Sequence, residues 1–292
     1  MENRLFVDKS DIAKMRYVIS SLPGTPSVVD FEEFIQIESV QKTTRLWFVN
    51  STLIAFAYVD DFCNLCFETA PETCDRGLEK EIMDWGLKCQ REKNKKSGEN
   101  ATLDSSCSAS NLERISLLER MGFLEQEVRS MRFIRSLADP IQPFPLSPGF
   151  AIRCLQGEQE IEPWVSLHQA AVGTDNMTSE YRLAMMHAPA YSQDMDWVVI
   201  APDGNLAAYC MGSIDEEVPT LGALDPIGTH PQYQRRGLSK ALIAHGLIVL
   251  KNKGLKYAQF GTSSENLAMR QLGIHSGFKL RSESVWFSKT VN

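Results

Sequence analysis

From residue 148 onward the apolar positions alternate between short strand-like runs and longer helix-like stripes. Phe150 to Leu155 reads as a strand. Glu160 to Ala171 and Ser179 to His187 read as helices, the second capped by Thr178 or Ser179. Trp197 to Ala201 and Leu206 to Ile214 are apolar runs joined through Pro202, Asp203, Gly204 and Asn205, the composition of a hairpin turn. Leu221 to Thr229 is a fourth strand. Gly237 to Lys253 carries an amphipathic stripe closed by Gly254, and Tyr257 to Gly261 is a fifth strand. Asn266 to Ser276 is a helix closed by Gly277, and Val285 to Ser288 ends the sheet. From Arg45 the first half follows the same plan more loosely. This pattern predicts an α/β (α+β mixed) class, a mixed central sheet with helices on both faces.

The chain also repeats itself. At a shift of 160 positions, PETCDRGLEKEIMDWGL from Pro71 meets PQYQRRGLSKALIAHGL from Pro231, with seven identities in seventeen positions. Gly77 meets Gly237, and Gly86 meets Gly246. At a shift of 155, NLERISLLERMGF from Asn111 meets NLAMRQLGIHSGF from Asn266, keeping the Asn, two leucines, the Gly and the Phe. The polar stretch Glu92 to Asn100 in the first copy absorbs the change of five. Two matching segments in the same order predict a duplicated domain. Between the copies, Ala138 to Gly149 holds four prolines in twelve residues, which excludes a regular helix or a central strand. The expected division is therefore 1–137, a linker at 138–147, and 148–292.

Composition narrows the partners only slightly. A chain of 292 residues with 43% hydrophobic residues can bury an ample core. The net charge of -7 speaks against a nucleic-acid scaffold. Met1 to Ser20 lacks a signal-peptide pattern, and no stretch approaches a membrane span, so a cytoplasmic location without membrane partners is expected. Seven scattered cysteines do not form a disulfide framework. The Asn-x-Ser/Thr matches at Asn50, Asn100 and Asn176 are then chance.

The chemistry concentrates in Gln234-Arg235-Arg236-Gly237-Leu238-Ser239, set between a strand and a helix. Gly237 lets the backbone approach a ligand without Cβ interference. The helix that follows presents unpaired N–H groups and the positive end of its dipole, and Arg235 and Arg236 add charge suited to phosphate. A diphosphate is the natural occupant.

These residues resemble the pyrophosphate loop of the GNAT acyltransferase superfamily, Gln/Arg-x-x-Gly-x-Gly/Ala after a strand ending in a Val-x-Pro-like turn. Here Thr229-His230-Pro231 precedes QRRGLS, with Ser239 in the last small position. Asn266, Gly277 and Phe278 match a later Asn…Gly-Phe pattern, so the resemblance covers the whole second domain. It implies direct transfer of an acetyl group from acetyl-CoA, a cosubstrate, to a primary amine in a ternary complex. The implied cofactor contacts are Ile227 and Thr229 for pantetheine, with Gln234, Arg235, Arg236, Gly237, Leu238, Ser239, Lys240 and Asn266. The acceptor is a small-molecule or peptide amine, no metal is required, and a monomer or homodimer is expected. Asp225, on the strand before the loop and on one face with Ala223 and Thr229 if that strand is regular, is the candidate base; otherwise it fixes the Asp-Pro turn or binds the substrate cation. The position where many relatives carry an acidic Tyr is Gly273. His275 lies near it but on another side of the helix. Two alternatives remain open: a non-catalytic CoA-binding or regulatory protein, suggested by Gly273, and a transferase of longer acyl groups.

In the first copy Cys74, Asp75 and Glu79 replace Gln234, Arg235 and Ser239. At about 5 Å and an effective dielectric near 20, each carboxylate would repel a phosphate charge by on the order of 3 kcal/mol. The first copy is therefore expected to keep the fold without binding CoA, as in tandem relatives of the mycothiol synthase type. Cys63 and Cys66 lack the second pair of a zinc site and read as core cysteines. His168, His187 and His245 read as surface or satisfied core histidines.

Overall fold

Strand pairing divides the chain differently from its repeat. In the computed structural model, which describes residues 1–22, 28–71, 73, 76–214 and 218–291, Met1–Ser130 with Glu283–Asn292 form one compact unit and Met131–Ser282 the other.

The first unit runs β1 (Glu2–Leu5), α1 (Lys9–Ser20), α2 (Val28–Phe34), α3 (Glu38–Thr43), β2 (Arg45–Val49), β3 (Thr52–Val59), β4 (Leu65–Thr69), α4 (Arg76–Ser97), β5 (Leu103–Ser108), α5 (Leu112–Arg120) and the start of β6 (Leu124–Ser136). Strands β1 to β4 form an antiparallel sheet in chain order. Helix α4 packs on it through Leu78, Ile82 and Met83, against Trp47, Leu65 and Phe67. Gly86 allows the close approach, because a Cβ there would lie 2.9 Å from both Leu65 methyls. Strand β5 pairs antiparallel with residues 284–289, Val285 opposite Cys107 and Phe287 opposite Ser105.

The second unit continues with β7 (Ala151–Cys154), α6 (Ile161–Val172), α7 (Ser179–His187), β8 (Asp196–Ile200), β9 (Leu206–Ile214), β10 (Leu221–Thr229), α8 (Leu238–Asn252), β11 (Tyr257–Ser263), α9 (Leu267–His275) and the start of β12 (Lys279–Lys289). Strands β7 to β10 are antiparallel neighbours in chain order, and β11 joins β10 in parallel. One sheet face packs under α8 through Trp197, Cys210, Leu224, Leu242 and Leu247. The other packs under α6 and α7 through Trp164, Leu167, Met185, Val198 and Tyr209. Gly246 repeats the role of Gly86, since a Cβ there would lie 2.6 Å from a Leu224 methyl.

The helices and inner strands of the second unit fall within a few residues of the sequence reading. The domain ends do not. Expected boundaries at 137 and 148 give way to crossings after Ser130 in β6 and after Ser282 in β12. Val285 to Ser288, expected to end the second sheet, pairs with β5 instead. An exposed strand edge accepts any strand of suitable length, whatever its place in the sequence. The proline-rich stretch is likewise no free linker. Ile141 and Leu146 pack on the second core, and Arg135 Nη2 donates to Pro140 O at 2.6 Å. Prolines hold this segment extended without needing ladder hydrogen bonds. Among the described residues no helix is long and apolar enough to cross a membrane.

Candidate functional site

The loop before α8 takes two left-handed backbone conformations, at Arg235 (φ 62) and Gly237 (φ 76). Gly237 is the N-cap, and it has no side chain with which to pair the first N–H groups of α8. Thr178, Asn111 and Asn266 do cap their helices with side-chain oxygens. The first turn of α8 holds no acidic residue, while Arg235, Arg236 and Lys240 are exposed around it. Backbone donors, helix dipole and three cations therefore converge on one spot, the arrangement that receives a phosphate group.

Each neighbour contributes differently. Leu238 is buried in the core, an anchor of about 1.5–3 kcal/mol that fixes the helix start; only its N–H is offered to a ligand. Thr229 and Ser239 hydroxyls bond at 2.6 Å and tie the end of β10 to α8. Gln234 Nε2 reaches Thr229 O at 3.4 Å. Gly237 has a second reason to be glycine: a Cβ would lie 2.5 Å from Phe144 Cε1. The Phe144 ring also lies 4.5 Å from Lys240 Nζ, and the Phe150 ring 5.8 Å from the Arg236 guanidinium. The proline-rich stretch thus braces the loop.

Beside this loop β10 and β11 part. They pair from Leu221 opposite Tyr257 to Ala223 opposite Gln259. Beyond that, Asp225 Oδ2 accepts the Gly261 N–H at 3.1 Å. The register of β10 against β9 shifts between Leu224 and Ile227, a bulge that breaks the side-chain alternation. The expected common face of Ala223, Asp225 and Thr229 is overturned for this reason. Leu224, Ile227 and Thr229 turn toward α8, whereas Gly228 turns toward Tyr209 on the α6 face.

Three further residues receive definite places. A Cβ on Gly273 would lie 2.6 Å from Phe260 Cε1, so no side chain fits there. His275 is exposed, its Nδ1 2.7 Å from Gln271 O in its own helix. Asn266 Oδ1 accepts the Met269 N–H at 3.0 Å, and Asn111 Oδ1 does the same for Arg114 in the first unit. The repeated Asn…Gly-Phe pattern is thus a helix cap, a left-handed Gly122 or Gly277, and a core Phe123 or Phe278.

On the α6 face lies a polar group that sequence reading missed. The buried Tyr209 hydroxyl is 2.8 Å from His168 Nδ1. Trp164 packs on both rings and against the guanidinium of Arg182, which is fully buried and paired with Asp196. Tyr191 donates to the same carboxylate at 2.9 Å. Burial, then Arg182, lowers the His168 pKa to about 4. No sequence signal joins these residues, because sheet register and helix docking bring them together.

The first unit has its own parted strands. A single parallel bridge, Asn64 to Asp104, joins the start of β4 to β5. Farther along β4, Arg114 from α5 fills the gap. Its guanidinium stacks 3.6 Å from the Phe67 ring, donates to Phe67 O at 3.0 Å and pairs with Glu68 at 3.2 Å. Burial pushes the Glu68 carboxyl up, and Arg114 draws it back. Helix α4 begins at Arg76 and takes Gly77 into the helix, whereas α8 begins after Gly237. Cys74 and Asp75 lie outside the described residues. Cys63 sits in a turn with φ 66 rather than on a strand, and its sulfur accepts from Gln90 at 3.2 Å. Among the described residues no cluster of three or more metal-ligating side chains occurs.

A mixed sheet with parted parallel strands and a capless, cationic helix start at their mouth defines a class of α/β fold suited to a phosphate-bearing ligand. Comparison makes the assignment specific: residues 162–278, all within the second unit, match the acetyltransferase (GNAT) family, and the chain carries a GNAT domain there. Two mycothiol acetyltransferases are similar in sequence. That of Salinispora arenicola is 25% identical over 166 residues, 53% of each chain. That of Sanguibacter keddieii is 22% identical over 141 residues, 46% of this chain and 45% of the relative. The chain thus spans about half the length of these curated relatives. In structure the whole chain matches a tandem GNAT protein from the clavulanic acid biosynthesis pathway (TM-score 0.74, 12% identity, 99% of that chain). A GCN5-related N-acetyltransferase from Sphaerobacter thermophilus also matches throughout (TM-score 0.71, 15% identity, 96% of that chain). These matches establish the tandem GNAT fold.

Proposed function

We propose that the second unit transfers an acetyl group from acetyl-CoA to a primary amine. The observation that carries this reading is the capless start of α8, with Gly237, Arg235, Arg236 and Lys240 around it, at the mouth of the parted β10 and β11. The diphosphate is held by the Leu238, Ser239 and Lys240 N–H groups and the cations. The pantetheine arm runs along β10 at Ile227 to Thr229, where β11 has turned away. Acetyl-CoA supplies the thioester. The amine nitrogen bonds to its carbonyl carbon, the carbon–sulfur bond breaks, the nitrogen loses one proton and the sulfur takes one. Asp225 keeps the strands apart through Gly261 and is the proposed proton acceptor for the amine. The names of the sequence relatives support a small-molecule acceptor. The first unit is read as a copy that does not bind CoA.

Gly273 favours a second reading, a CoA binder without transfer. Calorimetry with acetyl-CoA on the wild type, Gly237→Glu and Arg235→Glu tests the first step. One site per chain, weakened at least about 100-fold in both variants, is the expected result, since each adds a carboxylate beside phosphate at several kcal/mol of repulsion. Two sites per chain overturn the reading of the first unit, and no binding overturns the whole. Thiol release with glucosamine, putrescine and a peptide amine then separates enzyme from binder.

A further inference from the structure

We propose that His168 is a catalytic hydrogen-bond donor of the second unit, held by Tyr209 so that its Nε2–H faces the acetyl carbonyl oxygen. This inference rests on the acetyl-transfer reading and names a group in its reaction. No side chain fits at Gly273, because Phe260 fills the space. A hydrogen-bond donor for this site must come from another element.

The geometry of the pair decides its chemistry. Tyr209 is fully buried, and among the described residues His168 Nδ1 is the partner of its hydroxyl, at 2.8 Å. A buried hydroxyl with one partner donates to it, because an unmade bond costs about 1–3 kcal/mol. Nδ1 is then the acceptor, and the proton of the neutral ring sits on Nε2. His168 is only half-buried, so this N–H is open to a ligand. Burial and Arg182 keep the ring neutral.

Position follows from β10. Tyr209 lies opposite Gly228 in the β9–β10 ladder. A Cβ on Gly228 would lie 2.6 Å from the Tyr209 hydroxyl oxygen, so only glycine lets the pair cover this strand. Gly228 falls between Ile227 and Thr229, the backbone proposed to hold pantetheine. Those two residues face α8 and the phosphate loop, while Gly228 faces α6. The phosphate loop thus stands on one face of the strand and His168 on the other, with the backbone proposed to hold pantetheine between them. Helix α6 stacks Trp164 on His168 at 5.3 Å between centroids, which fixes the ring plane.

The role is electrostatic. When the amine adds to the carbonyl carbon, negative charge gathers on the carbonyl oxygen, and Nε2–H bonds it more strongly than in the ground state. His168 gives up no proton. The sulfur leaves as thiolate and takes its proton from water.

The test uses the full chain with acetyl-CoA and glucosamine, putrescine or a peptide amine. His168→Phe is expected to lower kcat about 10²–10³-fold, the loss seen when one such donor is removed, with acetyl-CoA affinity by calorimetry unchanged. His168→Gln, whose amide can reach the Nε2 position, should stay within about tenfold of wild type. Tyr209→Phe should fall between them, because it frees the tautomer without removing the ring. In ¹⁵N-histidine-labelled wild type, acetyl-CoA should shift the Nε2 resonance of His168. Equal kcat in wild type and His168→Phe overturns the proposal, as does an unmoved Nε2 resonance in protein saturated with acetyl-CoA. Failure of the wild type to bind acetyl-CoA, or to release thiol with any amine, instead overturns the acetyl-transfer reading.

Discussion

At the end of β4 the first unit sets a guanidinium: Arg114 takes the carbonyl of Phe67, covers its ring and pairs with Glu68. At the corresponding place in β10 the second unit has Ile227 and Gly228, and Met269 stands where Arg114 does. Both units part their strands in the same way, with a short parallel contact and then separation. In one the exposed backbone is satisfied internally by a charged side chain. In the other it is left to small and apolar neighbours. A parted pair of strands leaves backbone polar groups unpaired, and these must find partners. If the first unit holds no CoA, as proposed, Arg114 with Glu68 supplies from within the chain the partners that a ligand would bring. The helix start differs in parallel, with Gly77 inside α4 and Gly237 ahead of α8.

The largest effect on stability should come from breaking this plug. Arg114→Ala leaves Glu68 buried without its cation and Phe67 O without its donor. A loss of about 2–3 kcal/mol is expected in urea unfolding. The sign of its pH dependence follows from Glu68, whose folded pKa burial raises. Stability linked to a raised carboxyl is complete below the unfolded value, about 4.3, and is lost as pH rises through the folded value. Without Arg114 that folded value rises further, so the variant's deficit should be smaller at pH 4 than at pH 7. A deficit that does not change with pH would mean that Glu68 is solvated and that the plug is only packing. Acetyl-CoA stoichiometry should remain one per chain, because Asp75 and Glu79 are still in place.

Much of the second unit was legible before the structure, and the reasons are local. Helix ends announced themselves through Thr178, Asn266, Gly254 and Gly277, each acting within its own turn. The repeat was legible because Gly86 and Gly246 serve one need, a long helix lying close on a strand leucine. The capless helix start with its cations was legible because Arg235, Arg236, Gly237 and Lys240 are contiguous or nearly so in sequence. What escaped is non-local. The bulge that turns Asp225 toward Gly261 depends on the register of two strands. Tyr209 and His168 meet through the docking of α6 on β9. The exchange of strand ends follows from open sheet edges, which leave no mark in the order of the chain.

A smaller effect separates the clefts at their hydroxyls. Thr229 and Ser239 join β10 to α8 at 2.6 Å, whereas the first copy has Thr69 and Glu79 at these positions. Thr229→Val should cost about 1 kcal/mol of the order around the phosphate loop and weaken acetyl-CoA about fivefold by calorimetry. Thr69→Val should leave that affinity unchanged. Equal weakening in both would show that the first unit takes part in binding the cosubstrate.

The smallest effects concern the one feature the clefts share in full. Asn111 and Asn266 each accept an N–H three residues on, at 3.0 Å in both units. If the pattern is a helix cap, it should be indifferent to whether its unit binds a ligand. Asn111→Ala and Asn266→Ala are then each expected to cost about 1 kcal/mol in urea unfolding. Asn266→Ala should leave acetyl-CoA affinity within about twofold, because a cap of α9 acts through helix order and carries no charge toward phosphate. The opposite pattern, normal stability with affinity lowered tenfold in Asn266→Ala alone, would return Asn266 to the cosubstrate site. It would also make the shared motif a remnant of binding in the first unit rather than a common solution for ending one helix and starting the next strand.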